Sequence, residues 1–154
     1  MNLSITTNIC QNDVLVGSTS ERPVVLMGES ALSRVGLTTL HNSILKCSTL
    51  YTGINGIFNP IAMWYFNPYA ERYEHTKPSP VHPNILEPTQ ERALVEYMAY
   101  HDYFDEGILI EGIKSYLEQH DNNYQALLDE ADYWHYHADI VEYWVKEAKE
   151  DYEV

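Results

Sequence analysis

A chain of 154 residues with 45% apolar and 12% aromatic residues has the size of one domain, or of one plus a short appendage, and enough apolar side chain to bury a core. Its 23 acids and 9 basic residues leave a net charge of −14, and that charge lies wholly in the second half: residues 84–154 set 18 acids against Arg92, Lys114, Lys146 and Lys149, whereas residues 1–83 balance five against five. Such a surface repels phosphate backbones, which argues against direct binding of DNA or RNA and favours a partner with a basic surface.

Residues 1–22 form a polar N-terminal segment in which only Asp13 to Gly17 has the pattern of a short strand. Pro23 to Gly28 reads as a buried apolar stub, and Glu29 to Val35 as a short helix ended by Gly36. Residues 43–50 and 61–67 are rich in β-formers and separated by Gly53, Asn55, Gly56, Asn59 and Pro60, which predicts a hairpin or small meander. Residues 74–88 carry four prolines, so they are expected to run as an extended connector between two layers.

Beyond them the apolar period becomes helical. Thr89 is placed to cap a helix over about 90–103, with Ala93, Leu94, Tyr97, Met98 and His101 on one stripe. A second helix is predicted over about 106–119, and a third over about 123–136, using Tyr124, Leu127, Leu128 and Ala131. A fourth begins near Ala138 and runs into the acidic terminus. The expected fold class is α+β: a small antiparallel β layer with one short helix, followed by a cluster of about four α-helices. One domain is expected over residues 23–154, β-rich over 23–83 and helical over 84–154.

No apolar run approaches the ~20 residues of a membrane span, and residues 1–22 lack the basic start and apolar core of a signal peptide. With Cys10 and Cys47 in settings that suit reduced thiols, the expected compartment is the cytoplasm. The histidines show one close pair, His135 and His137, near Asp132 and Asp139. Neighbours two apart point to different sides of a helix, so they would converge on a metal only across a helix break. Gly28-Glu29-Ser30-Ala31-Leu32 lacks the second glycine of a hydrolase elbow, and there is no glycine-rich phosphate loop. The expectation is therefore a non-enzymatic binding protein with no catalytic residue, metal or cofactor assigned.

The aromatics carry more information. Residues 84–154 hold eleven Tyr, Trp and Phe side chains between Tyr97 and Trp144, more than four short helices can bury with every hydroxyl satisfied. Either some line helix seams with their hydroxyls in water, or some stand exposed among the acids as partner anchors; the sequence leaves both open. On the second alternative the partner-binding residues are Glu130, Asp132, Tyr133, Trp134, Tyr136, Asp139, Glu142 and Tyr143, where acids steer a basic protein and aromatics anchor it.

Two segments resemble the C-terminal domain of AbiEi-type antitoxins, which neutralise a nucleotidyltransferase-like toxin in type IV toxin–antitoxin and abortive-infection systems. Gly28-Glu29-Ser30-Ala31-Leu32 with Gly36-Leu37-Thr38 is similar to that family's glycine, serine-alanine-leucine, glycine-leucine helix. Glu87-Pro88-Thr89-Gln90-Glu91-Arg92-Ala93-Leu94 is similar to its "PERALLD" helix start, with Thr89 and Gln90 inserted after the proline. The resemblance covers about residues 23–120 and implies an antitoxin-like domain. Only some 22 residues precede the first motif, so the family's usual N-terminal winged helix-turn-helix is not expected. Arg92 is the matching arginine, expected in a buried or half-buried ion pair that holds the helix start to the β layer. The alternative to an antitoxin is an acidic mobile-element inhibitor, a nucleic-acid mimic of the anti-defence or anti-CRISPR-like kind, that occupies a basic nucleic-acid-binding groove of a host protein.

Overall fold

The computed structural model describes residues 23–39, 45–50, 56–59, 62–81 and 84–153. Strand β1 (Val24–Val25) leads into α1 (Gly28–Arg34). Then come β2 (Leu45–Thr49), β3 (Gly56–Asn59), β4 (Ala62–Phe66), β5 (Thr76–Pro78) and β6 (Ile85–Pro88). Helices α2 (Gln90–Ala99), α3 (Glu106–Gln119), α4 (Gln125–Tyr133) and α5 (Ala138–Glu153) complete the chain, with a 3₁₀ turn at His101–Tyr103 between α2 and α3. The architecture is α+β, a small β layer with one short helix followed by four helices.

The β layer is mixed, which corrects the antiparallel expectation. One sheet has the order β1-β6-β5 and the other β2-β4-β3; β1–β6 and β2–β4 pair in parallel, β5–β6 and β3–β4 antiparallel. The bridge between Leu26 and Cys47, with the Met27 N–H donating to the Lys46 carbonyl at 2.9 Å, joins the two sheets. The proline-rich stretch is not merely a connector, because it supplies both β5 and β6. Pro78 is tolerated on the edge strand β5, where a missing N–H removes no interior ladder bond. The predicted strand at Asp13–Gly17 lies outside the described residues.

Local chemistry accounts for the helix ends. Gly28 opens α1 at φ +63°, and a Cβ there would stand 2.5 Å from Cε1 of Phe104, so both backbone and space require glycine. Gly36, at φ +79°, closes α1 in a Schellman turn: its N–H reaches the Ser33 carbonyl, and the Leu37 N–H the Leu32 carbonyl. The Thr89 hydroxyl caps α2 by accepting from the Arg92 N–H at 3.1 Å, and Asp105 caps α3 through Ile108 at 3.1 Å. Helix α2 stops at Ala99, short of the expected Tyr103, and α4 is trimmed to 125–133.

Helix α2 is the centre of the molecule. Every residue from Arg92 to Met98 is buried, and the helix packs against α1, α3, α4, α5 and β6. The core runs without a break from Leu26, Met27 and Cys47 in the β half to Val141, Val145 and Ala148 in α5. Cys47 is a fully buried free cysteine whose thiol is pushed up to about 12 by burial. No helix among the described residues is long and apolar enough to cross a membrane.

Candidate interaction surface

Helices α4 and α5 form a hairpin, and its turn holds most of the residues singled out from the sequence. The turn is a second Schellman closure: the His135 N–H reaches the Asp132 carbonyl and the Tyr136 N–H the Ala131 carbonyl, with His135 in the left-handed region at φ 64°. That geometry turns alternate side chains inward and outward. Asp132, Tyr133, His135, His137, Asp139, Glu142 and Tyr143 are exposed, with Tyr133 at 42% and Tyr143 at 55%.

Trp134 and Glu130 are corrections to the expected surface, because they lie in the interior at 1% and 8% exposure. The Trp134 Nε1–H donates to Glu130 Oε2 at 2.7 Å, and its carbonyl accepts from the Tyr69 hydroxyl at 2.7 Å. Its ring lies against the guanidinium groups of Arg92 and Arg72, at 4.6 and 5.0 Å from the ring centroid. Tyr136 is a correction of the same kind. Half-buried, it packs on the core and stands edge-on to Tyr69 and Tyr100, and burial pushes its hydroxyl far above the usual tyrosine range. The spacing held a signal for this, since Leu127, Ala131 and Trp134 continue one helical stripe whose flank includes Glu130.

Beneath the turn, Arg92 is fully buried. Its Nε pairs with Glu96 Oε2 at 3.2 Å, and Nη1 donates to the carbonyls of Arg72 at 2.9 Å and Glu74 at 2.7 Å. Arg92 thus ties α2 to the turn that leads into β5, close to the part expected of it. Asn67 donates to the same Glu96 oxygen at 3.1 Å, while Glu96 Oε1 has no hydrogen-bond partner within the protein. Burial drives the Glu96 carboxyl above its ordinary value, and its neighbours Arg92 and Asn67 offset only part of the rise.

His75 is the residue that the sequence reading overlooked. It sits at φ 62° just before β5, and its Nδ1–H donates to Glu130 Oε2 at 2.8 Å, the oxygen that also accepts from Trp134. Its ring lies against that of Tyr133, tilted by 42° with 4.5 Å between centroids. Nothing local in the sequence signals a contact across 55 residues. Farther along the hairpin, Tyr124 donates to Glu142 at 2.8 Å, which raises the phenol above its usual range, and Lys149 lies over the Tyr124 ring at 5.5 Å. Tyr143 stands edge-on to Trp144, whose other neighbour is His101.

No family model matches the chain, and no curated protein matches its sequence.

For chemistry other than binding, the described residues offer little. No three His, Cys, Asp or Glu side chains among them gather in a metal-binding arrangement. His101 pairs with Asp102 and Glu106, and His120 meets Gln90. His41, His82 and Cys10 lie outside the described residues. A groove of about 260 Å³ between Tyr124 and α5 is lined by Glu142 and Glu150 but also by Lys146 and Lys149, so its charges balance.

Proposed function

We propose that this chain is an antitoxin-like binding protein of the AbiEi type, which neutralises a basic toxin or defence effector through the exposed acidic face of its α4–α5 hairpin. One observation carries the reading: Asp129, Asp132, Asp139 and Glu142 stand exposed beside the exposed Tyr133 and Tyr143. Acids of this kind accelerate encounter with a basic surface, while rigid aromatics supply contact area at small entropic cost. The motif residues support the reading from below. Glu29, Ser30, Ala31 and Leu32 are buried in α1, which packs on α2 with its buried Arg92, so they act as scaffold for the hairpin rather than as contacts.

The partner of this chemistry is a nucleic-acid-handling protein, with a nucleotidyltransferase-like toxin as the leading candidate. The experiment is capture of the partner on the tagged protein, its identification by mass spectrometry, and co-expression of the two. An antitoxin restores growth of cells that express the captured toxin, and a variant with Tyr133 and Tyr143 both truncated to Ala restores it less. Capture of a nuclease or other effector whose nucleic-acid binding is displaced by the chain would instead favour the acidic mimic. Captured proteins that neither affect growth nor lose nucleic-acid binding in the presence of the chain would contradict both.

A further inference from the structure

His75 lies, with Tyr69 and Arg72, where the β half touches the proposed surface, and its contacts are unusual for a loop residue. Three side chains from α4 and its C-cap meet on it: Glu130 by the hydrogen bond, Trp134 through the same carboxylate oxygen, and Tyr133 by a tilted ring contact. Its backbone occupies the left-handed region, disfavoured for a residue with a Cβ, yet is held from several sides. The Thr89 N–H donates to the His75 carbonyl at 3.0 Å, Arg92 donates to the carbonyls of Arg72 and Glu74, and the Thr76 hydroxyl donates to that of Tyr73 at 2.6 Å. Over-determined strain of this kind fixes the imidazole in place. The ring is about one-third exposed and so open to protons, whereas its acceptor Glu130 is buried.

We propose that His75 is a pH-responsive regulator of this surface: protonation of its imidazole turns the bond to Glu130 into an ion pair and, through the shared carboxylate oxygen and the ring contact with Tyr133, orders Trp134 and the exposed anchor Tyr133. The proposal rests on the reading of the α4–α5 face as a contact surface, because it says how that face is regulated. Histidine is suited to the task, changing charge between about pH 5 and 8. Of the other groups that act on the bridge the arginines keep their charge, while burial drives the Glu96 carboxyl above its ordinary value, so His75→Gln is what separates its protonation from that of the imidazole. On the same turn, Arg72 and Glu74 pair with each other at 3.0 Å, and the Arg72 guanidinium lies against Trp134. From α2 come Arg92, against Trp134, and Glu96, which is electrostatically coupled to Glu130; from α3 comes the Tyr116 hydroxyl, also coupled to Glu130. None of these places a second histidine on the bridge. With the imidazole charged, Tyr133 is presented in one orientation, which lowers the entropic penalty of docking; with it neutral, Tyr133 is freer.

The test needs no partner. NMR of the whole chain from pH 5 to 8 follows the His75 imidazole, the Trp134 indole N–H and the Tyr133 ring together. The proposal expects the indole and Tyr133 signals to move with the same midpoint as the imidazole, and to lose that response in His75→Gln, whose amide can donate but cannot take up charge. The indole of Trp144, edge-on to His101, serves as the internal control, and its signal should change with pH identically in both proteins. A folded wild type in which His75 titrates while Trp134 and Tyr133 stay fixed overturns the proposal, and this holds even if His75→Gln fails to fold. An unchanged response of Trp134 in folded His75→Gln overturns it equally. Failure here leaves the binding face itself untouched, since that is decided separately by reversal of the exposed acids.

Discussion

Replacement of Arg92 by Met removes the guanidinium while keeping most of the apolar stem. The side chain is fully buried, so the change strands the Glu96 carboxylate, itself 2% exposed, with Asn67 as its remaining donor. Breaking a buried pair by removing one partner costs about 3–5 kcal/mol. The carbonyls of Arg72 and Glu74 also lose their donor, but the turn that carries them is partly exposed and water can replace it, so they add little. For a chain of this length the loss corresponds to roughly 6–20 °C in Tm, against a total stability of about 5–15 kcal/mol. Urea unfolding followed by tryptophan fluorescence measures it. The double variant Arg92→Met/Glu96→Leu should recover much of the loss, because no lone charge then remains in the core. A single variant destabilised by less than about 1 kcal/mol, or a double variant no better than the single, would refute the assignment of Arg92 as the tie between α2 and the β5 turn.

Gly28→Ala meets both a left-handed backbone and the Phe104 ring, so it should destabilise by about 2–4 kcal/mol in thermal unfolding; partial recovery in Gly28→Ala/Phe104→Leu checks the steric share, and an unshifted Tm in the single variant contradicts the geometry. For Glu29, burial pushes the carboxyl up, but hydrogen bonds from Lys46 and the Asp105 N–H outweigh it and hold the group below its ordinary 4.5. Its contribution to stability is therefore present above pH 4.5 and lost as pH falls through the lowered folded value. Stability measured from pH 6 down to 3 should fall less steeply in Glu29→Gln, and an identical pH profile would exclude this carboxylate as a source of acid sensitivity.

The helices were legible because each leaves a periodic apolar stripe and a local end signal: Thr89 before α2, Asp105 before α3, Gly36 after α1. The strand pairings were not. Alternation marks a strand but does not name its neighbour, and β2 pairs in parallel with β4, Leu45 beside Ala62, rather than with β3, the next strand in the chain. The β5–β6 pair was hidden for another reason, since prolines forbid ladder donors in a strand interior but not at an edge. At the candidate surface the acids Asp132, Asp139 and Glu142 stand outside as their charge suggests. Glu130 and Trp134 do not, because two arginines, Tyr69 and His75 supply an interior polar setting for them from segments more than 35 residues away. Composition places a charge outside by default and cannot see a partner brought in by the fold.

Reversal of exposed acids on the α4–α5 hairpin is the most direct measurement of the contact claim. The variant Asp129→Lys/Asp132→Lys/Glu142→Lys avoids buried Glu130, and it spares Asp139, whose carboxylate sits in the first turn of α5 where the helix dipole favours it. With the captured partner on a biosensor, the association rate at low salt should fall at least about tenfold and its salt dependence should flatten, while the melting temperature stays within a few degrees of wild type. A folded variant that associates at the wild-type rate with the wild-type salt dependence would contradict the account and remove the α4–α5 face from the interface.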